Sequence, residues 1–226
     1  MLPRTLEPEV MDTVEEAVDY DSMDHSAVNT LFVGELLEFV SASGLPTTDS
    51  RALDMGTGTA LIPIELVRTS DRFCSVLACD LSAEMLRLAR QHIADTPLED
   101  TILPVFCDAK KLPVADASCA VVMSNSIVHH IPEPADVFAE MRRIITPDGV
   151  LFVRDLMRPE TSEQVEHIVA TYAGDENDHQ QQMFRESLHA ALTVEEVGDL
   201  LAAANFPREW VQATSDRHWT IAGRLI

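Results

Sequence analysis

Lysine is almost missing. The 226 residues hold only Lys110 and Lys111, and all basic residues together number 16 against 38 acidic ones, a formal net charge of −22. Such a field repels phosphate backbones and anionic headgroups, so neither nucleic acid nor a membrane surface is an expected partner. Long hydrophobic runs are missing too. The longest are about five residues, as in Cys119 to Met123, far short of the ~20 needed to cross a bilayer, and a soluble chain is expected. The first 24 residues carry eight acids and one arginine, the reverse of a basic-then-apolar secretory leader, so the expected location is cytoplasmic. No CxxC pair occurs. Cys74, Cys79, Cys107 and Cys119 fall in or beside apolar runs and read as reduced core residues, with no metal site expected.

What is present is a globular chain of one domain, with 46% hydrophobic and 24% charged residues arguing against disorder. From residue 51 onward, β-branched apolar runs alternate with helical periodicity, the order of a parallel sheet flanked by helices. Strands are predicted near 51–55, 74–80, 102–107, 118–124 and 149–155, with helices near 60–69, 82–95 and 134–145 between them. Ser82 is a suitable N-cap with Glu84 in the first turn, and Pro147-Asp148-Gly149 supplies a turn. Later helices are marked by the capping boxes Thr161-x-x-Gln164 and Thr193-x-x-Glu196, with Gly174 and Asn205 as stops. Glu209 to Ile226 reads as a β-hairpin about Ser215-Asp216-Arg217-His218, and residues 25–41 as an amphipathic helix ending toward Gly44. The domain divides into a helical cap (1–49), a central core (50–156) and lid helices with the hairpin (157–226).

Leu53-Asp54-Met55-Gly56-Thr57-Gly58-Thr59-Ala60 ends the first strand and opens a helix, placing small residues where a ligand approaches backbone amides. Asp80 closes the second strand 22 residues beyond Gly58, where a carboxylate accepts from ribose hydroxyls. A dinucleotide fingerprint wants glycine three residues after Gly58, but Leu61 stands there. Asp54 suits a cationic amino group, and Asp108 after the third strand suits an adenine amino group. Three acids at three strand ends match a cofactor with an ammonium, a ribose and an adenine.

These segments, with Leu112-Pro113-Val114-Ala115-Asp116-Ala117-Ser118 and Met141 to Gly149 in order behind them, resemble the class I S-adenosylmethionine-dependent methyltransferases, especially the small-molecule group related to the ubiquinone/menaquinone type. The resemblance covers roughly residues 50–156. It implies a Rossmann-like α/β fold whose seven-stranded, mostly parallel sheet has the order 3-2-1-4-5-7-6, with the last strand antiparallel. It also implies S-adenosyl-L-methionine as cofactor and S-adenosyl-L-homocysteine as product. The implied cofactor contacts are Asp54, Met55, Gly56, Thr57, Gly58, Asp80, Leu81, Cys107, Asp108, Ala109, Ser124 and Asn125. Two departures stand out: Ala60 replaces a glycine often seen in the loop, and Asp148 the first glycine of a commoner Pro-Gly-Gly turn.

The loop after the fourth strand, Ser124-Asn125-Ser126-Ile127-Val128-His129-His130-Ile131-Pro132, lacks both the Asn/Asp-Pro-Pro-aromatic and the Pro-Cys signatures of base methylation, which favours a small-molecule acceptor. His129 is a candidate general base and His130 an acceptor contact, or either caps backbone groups. Topology nominates a rim of Arg154 and Asp155 with Asp216, Arg217, His218 and Trp219; an Arg-Asp pair bracing the hairpin is the alternative. A third set, Asp21, His25 and Asn29, recurs every four residues and would share a helix face, with Tyr20-Asp21 like the Tyr-Asp often found in the resembling group; such a stripe is either a solvated face or, near His129, a metal or acid-base site. Residues 157–192 are a candidate lid. The catalytic candidates are thus His129, Asp21, His25 and Asp155, and the substrate contacts Tyr20, His130, Arg154, Arg217 and His218. A catalytically silent binding protein, another sulfonium-using enzyme and an oxidoreductase are the competing readings.

Overall fold

The computed structural model of the chain describes residues 2–10, 12–45 and 50–226. Two helices, α1 (Val14–Ser22) and α2 (Ser26–Ser43), precede the sheet. Then β1 (Ser50–Met55), α3 (Leu61–Thr69), β2 (Phe73–Asp80), α4 (Ala83–Ala94), β3 (Ile102–Phe106), β4 (Cys119–Asn125), α5 (Ala135–Ile144) and β5 (Ile145–Leu156) alternate. Helices α6 (Ser162–Tyr172), α7 (Asp178–Ala190) and α8 (Val194–Ala203) lead to β6 (Val211–Ala213) and β7 (His218–Arg224). The sheet order is β3-β2-β1-β4-β5-β7-β6, with β7 antiparallel to both neighbours and the pairs from β3 through β5 parallel. The expected order is the observed one.

Central strands read as unbroken apolar runs because both faces are covered. On one face Leu53, Met55, Val122, Leu151 and Val153 pack with Phe138 and Met141 of α5 and Val197 and Leu201 of α8. On the other, Ala52, Val121, Met123, Val150 and Phe152 meet Phe32, Val33, Leu36 and Val40 of α2. Successive residues of one strand thus serve opposite layers, the period-two rule of a pleated strand.

Caps fix the helices where the sequence places them. Ser82 accepts from the Met85 amide, and both expected capping boxes form, joined by Thr13–Glu16 opening α1 and Asn177–Gln180 opening α7. Asn205 takes φ 61 beyond α8, as a stop residue should. The two departures from glycine are instructive: Ala60 has φ 62 and Asp148 φ 66, so the backbone keeps a left-handed conformation at both positions although the side chain has changed.

Two expectations need correction. β5 begins at Ile145 rather than near 149, since Ile145 pairs with Cys119 before the register shifts around the Asp148 turn. Asp21 and His25 do not share a helix: α1 ends at Ser22, and His25 is the residue before α2, stacked on Tyr20 with ring centroids 4.5 Å apart. The cap boundary placed at residue 49 lies outside the described residues.

Candidate active site

A cleft opens at the carboxyl ends of β1 to β4, lined by Gly56 and Gly58 from the first loop, Asp80 and Leu81 from the second, Cys107, Asp108 and Ala109 from the third, and Asn125 and Ile127 from the fourth. Parallel strands aim their connecting loops to this edge, which is why acids distant in sequence meet there. The glycine loop is tied back onto β2: the Gly56 and Thr57 amides donate to the Cys79 carbonyl at 2.8 and 2.9 Å. Gly56 takes φ +70, and a Cβ there would lie 2.5 Å from the Ile127 side chain, so only glycine fits between β1 and the fourth loop.

The three strand-end acids have different surroundings. Asp80 accepts from the Gly58 amide and the Ser82 amide, both at 2.8 Å. Burial raises its carboxyl, against the lowering by those amides. Asp108 accepts from the Lys110 amide at 2.9 Å and faces the Lys110 ammonium at 3.2 Å, and the same ammonium pairs with Glu9. Asp54 does not border the cleft; it lies 1% exposed near the end of β1, two residues before Gly56, and neither carboxylate oxygen has a hydrogen-bond partner. Burial pushes its carboxyl up to about 7, with the nearby Thr57 hydroxyl lowering it without closing a hydrogen bond and the Asp80 charge raising it further.

These acids fit a sulfonium cofactor with a free amino group. An orphaned buried carboxylate is costly alone and is relieved by an entering cation. Tyr20 roofs the cleft beside Gly58, its phenol held neutral, pushed up to about 12 by burial and the charges of Asp80, Asp54 and Asp21.

Other expected contacts lie elsewhere. The Met55 side chain is buried in the core, and Ser124 spends its hydroxyl on the Met55 carbonyl at 2.8 Å, joining β4 to β1 instead of facing the cleft. Arg154 and Asp155 are adjacent on β5 and therefore point to opposite faces. Arg154 turns toward α2, pairing with Glu35 and donating to the Thr220 hydroxyl at 3.0 Å. Asp155 turns the other way to His129. The expected rim does not assemble: Trp219 is core, and Asp216 accepts from the Tyr172 hydroxyl at 2.8 Å while Arg217 stacks on the Tyr172 ring. His218 contacts the Ser215 hydroxyl, its ring lowered to about 4 by burial and by Arg217 and Arg154. Asp21 faces His92 of α4 at 3.2 Å, and His25 Nε2 contacts the Tyr20 carbonyl at 2.9 Å.

His129 and Asp155 form a buried pair, with Nδ1 2.5 Å from Oδ1, while Asp155 Oδ2 accepts from the Val128 amide at 2.5 Å. Coulomb attraction to Asp155 raises the ring against burial, which lowers it most. His129 does not border the cleft; His130 and Ile131 do. What the sequence reading missed is the N-terminal arm, residues 2–10. Glu9 and Val10 line the cleft, and Arg4 donates to the carbonyls of His129, Ile131, Pro132 and Ala190. The arm's acids are indistinguishable from their solvated neighbours in sequence; the scarcity of lysine marks Lys110 as their one legible partner.

Comparison with known proteins agrees with this geometry. Residues 53–153 match the family described as "Methyltransferase domain". The chain is 31% identical over 136 residues to a malonyl-[acyl-carrier protein] O-methyltransferase of Geobacter sulfurreducens, covering 59% of this chain and 47% of that one. It is 26% identical over 110 residues to a ubiquinone/menaquinone biosynthesis C-methyltransferase of Azotobacter vinelandii, covering 49% and 44%. The chain thus spans under half the length of these relatives. Among solved structures, the plantazolicin methyltransferase BpumL in complex with SAH superposes with a TM-score of 0.70 at 16% identity, covering 88% of this chain and 73% of that one. No helix among the described residues is long and apolar enough to cross a membrane. Residues 53–153 thus match the methyltransferase domain family, and the chain around them has the class I methyltransferase fold, with a cleft whose acids fit S-adenosylmethionine.

Proposed function

We propose that this chain transfers a methyl group from S-adenosylmethionine to a small-molecule acceptor. The observation that carries the reading is the orphaned carboxylate of Asp54 behind a glycine loop whose neighbours at the next two strand ends are Asp80 and Asp108. When bound, the sulfonium supplies an electrophilic methyl carbon. Asp54 would receive the ammonium, Asp80 the ribose hydroxyls, and Asp108 with Ala109 the adenine edge. Tyr20 and α1 close over the cofactor from the cap, and Asn125, Ile127 and His130 border the side from which an acceptor enters. Holding two reactants in line and away from water supplies most of the rate enhancement such a transfer needs.

A small acceptor is favoured by the size and sign of the surroundings. Glu9, Val10 and Tyr20 narrow the mouth, and a chain of net charge −22 disfavours a polyanion. The segment 157–192, the candidate lid, packs through Val165 of α6 and Leu188 of α7 with Leu156 at the end of β5, and none of its residues lines the cleft. The experiment is a panel of small oxygen, nitrogen, sulfur and carbon acceptors, scored by S-adenosylhomocysteine formation beside calorimetry with S-adenosylmethionine. Turnover of at least one acceptor is expected. Folded protein that binds S-adenosylmethionine but turns over nothing supports the silent-module reading, and protein that binds only a nicotinamide dinucleotide supports the oxidoreductase.

A further inference from the structure

At the border of the cleft, three side chains converge that the cofactor does not use. Glu7 of the N-terminal arm brings Oε1 to 3.5 Å from His129 Nε2 and 3.1 Å from His130 Nδ1. One potential ligand atom from each residue lies within 4.8 Å of the other two. An ion bound tetrahedrally by nitrogen and oxygen at about 2.0–2.1 Å holds its ligands roughly 3.3 Å apart, close to both of these separations.

The donor atoms are also left over after every neighbour has been counted. Glu7 Oε1 and His130 Nδ1 are buried and, apart from facing each other and His129, have no hydrogen-bond partner. The other Glu7 oxygen is satisfied by the Ser187 hydroxyl at 3.1 Å, which orients the carboxylate. On His129, Asp155 occupies Nδ1 at 2.5 Å and so leaves Nε2 toward Glu7. A carboxylate behind a histidine is the usual means by which a metal-binding imidazole is oriented and made more basic. Asp155 is itself fixed by the Val128 and Leu156 amides. Charge permits a cation, because Glu7 and Asp155 supply two negative charges against the one of Arg4, whose guanidinium is turned to backbone carbonyls.

We infer that Glu7, His129 and His130 form a site for a divalent transition-metal ion of the class that takes mixed imidazole and carboxylate ligands, zinc foremost. The site is built from this chain alone and stands independently of the methyl-transfer reading. Three protein ligands leave a fourth position for water, the arrangement of reactive rather than purely structural zinc sites. It also gives the arm a purpose, since the ion would tie residue 7 to a loop more than a hundred residues away in sequence.

The test uses the full chain without an affinity tag, stripped with chelator and titrated with Co²⁺ and then Zn²⁺. Expected are one Co²⁺ per chain, the visible absorption of a four-coordinate oxygen and nitrogen site, and its displacement by Zn²⁺. Glu7→Gln and His130→Ala should each weaken binding more than tenfold, with folding checked by circular dichroism. Glu7→Gln decides alone if His130→Ala does not fold, because the arm contributes no strand to the sheet. Absence of stoichiometric binding, wild-type affinity in a folded variant, or a thiolate charge-transfer band assigning the ion to cysteine overturns the inference.

Discussion

Replacing Asp54 by asparagine tests both the burial and the purpose of the orphaned carboxylate. Its carboxyl titrates at about 7 in the folded chain against an ordinary 3.8. Over that interval the folded state holds a proton that the unfolded state has released, so the stability contributed by the protonated form is complete below the ordinary value and is lost as pH rises. The full loss spans about three units at ~1.36 kcal/mol each, or about 4 kcal/mol, and is reached just above neutral pH. Asparagine keeps the shape and never ionises. Urea unfolding of cofactor-free protein should therefore find Asp54→Asn close to the wild type at about pH 4 and more stable by up to about 4 kcal/mol at about pH 8, the remaining acids cancelling in the difference. Cofactor reverses the preference, since an ammonium favours the ionised form. Wild-type binding near neutral pH should release a proton, seen as a buffer-dependent heat, and the variant should bind roughly tenfold to a hundredfold more weakly, from ~1.5–3 kcal/mol for a charged hydrogen bond. A stability difference that does not change with pH would show that Asp54 is ionised and solvated in the folded chain, and would refute the reasoning.

Asp80→Ala should weaken S-adenosylmethionine binding by more than tenfold in calorimetry, and lower the melting temperature because the Gly58 and Ser82 amides lose their acceptor; unchanged affinity would mean that the ribose lies elsewhere. Ala117 is exposed with φ 48. Relief of about 1–2 kcal/mol of left-handed strain, less about 0.5–1 kcal/mol for the freer unfolded chain, predicts that Ala117→Gly gains roughly 0.5–1 kcal/mol in urea unfolding; a loss would contradict it.

Apart from the start of β5, the strand and helix boundaries from 51 to 156 are legible because each unit carries its own signals. Apolar runs of strand length alternate with stretches of helical periodicity, and each change of period marks where an element begins. The glycine loop with Asp54 and Asp80 was legible for the same reason, since β1 and its loop are contiguous in sequence. The substrate-side expectations failed where they depended on direction. Arg154 and Asp155 cannot share one rim, because neighbours on a strand part to opposite layers, as the alternation in β5 implies. Asp21 and His25 fell to the break between α1 and α2, which helical spacing alone did not reveal.

Sequence by itself determined the acid balance, the parallel α/β core and the order of loops that carry the strand-end acids, because these follow from local periodicity and from composition. Only the tertiary structure decided which acids are solvated and which are buried. It left Asp54 without a partner, turned Asp155 onto His129, and brought Glu7 and Glu9 from an unremarkable acidic stretch to the mouth of the cleft. The physical reason is that desolvation and pairing depend on what packs nearby, and a neighbour such as Arg4 of His129, 125 residues away along the chain, leaves no local trace.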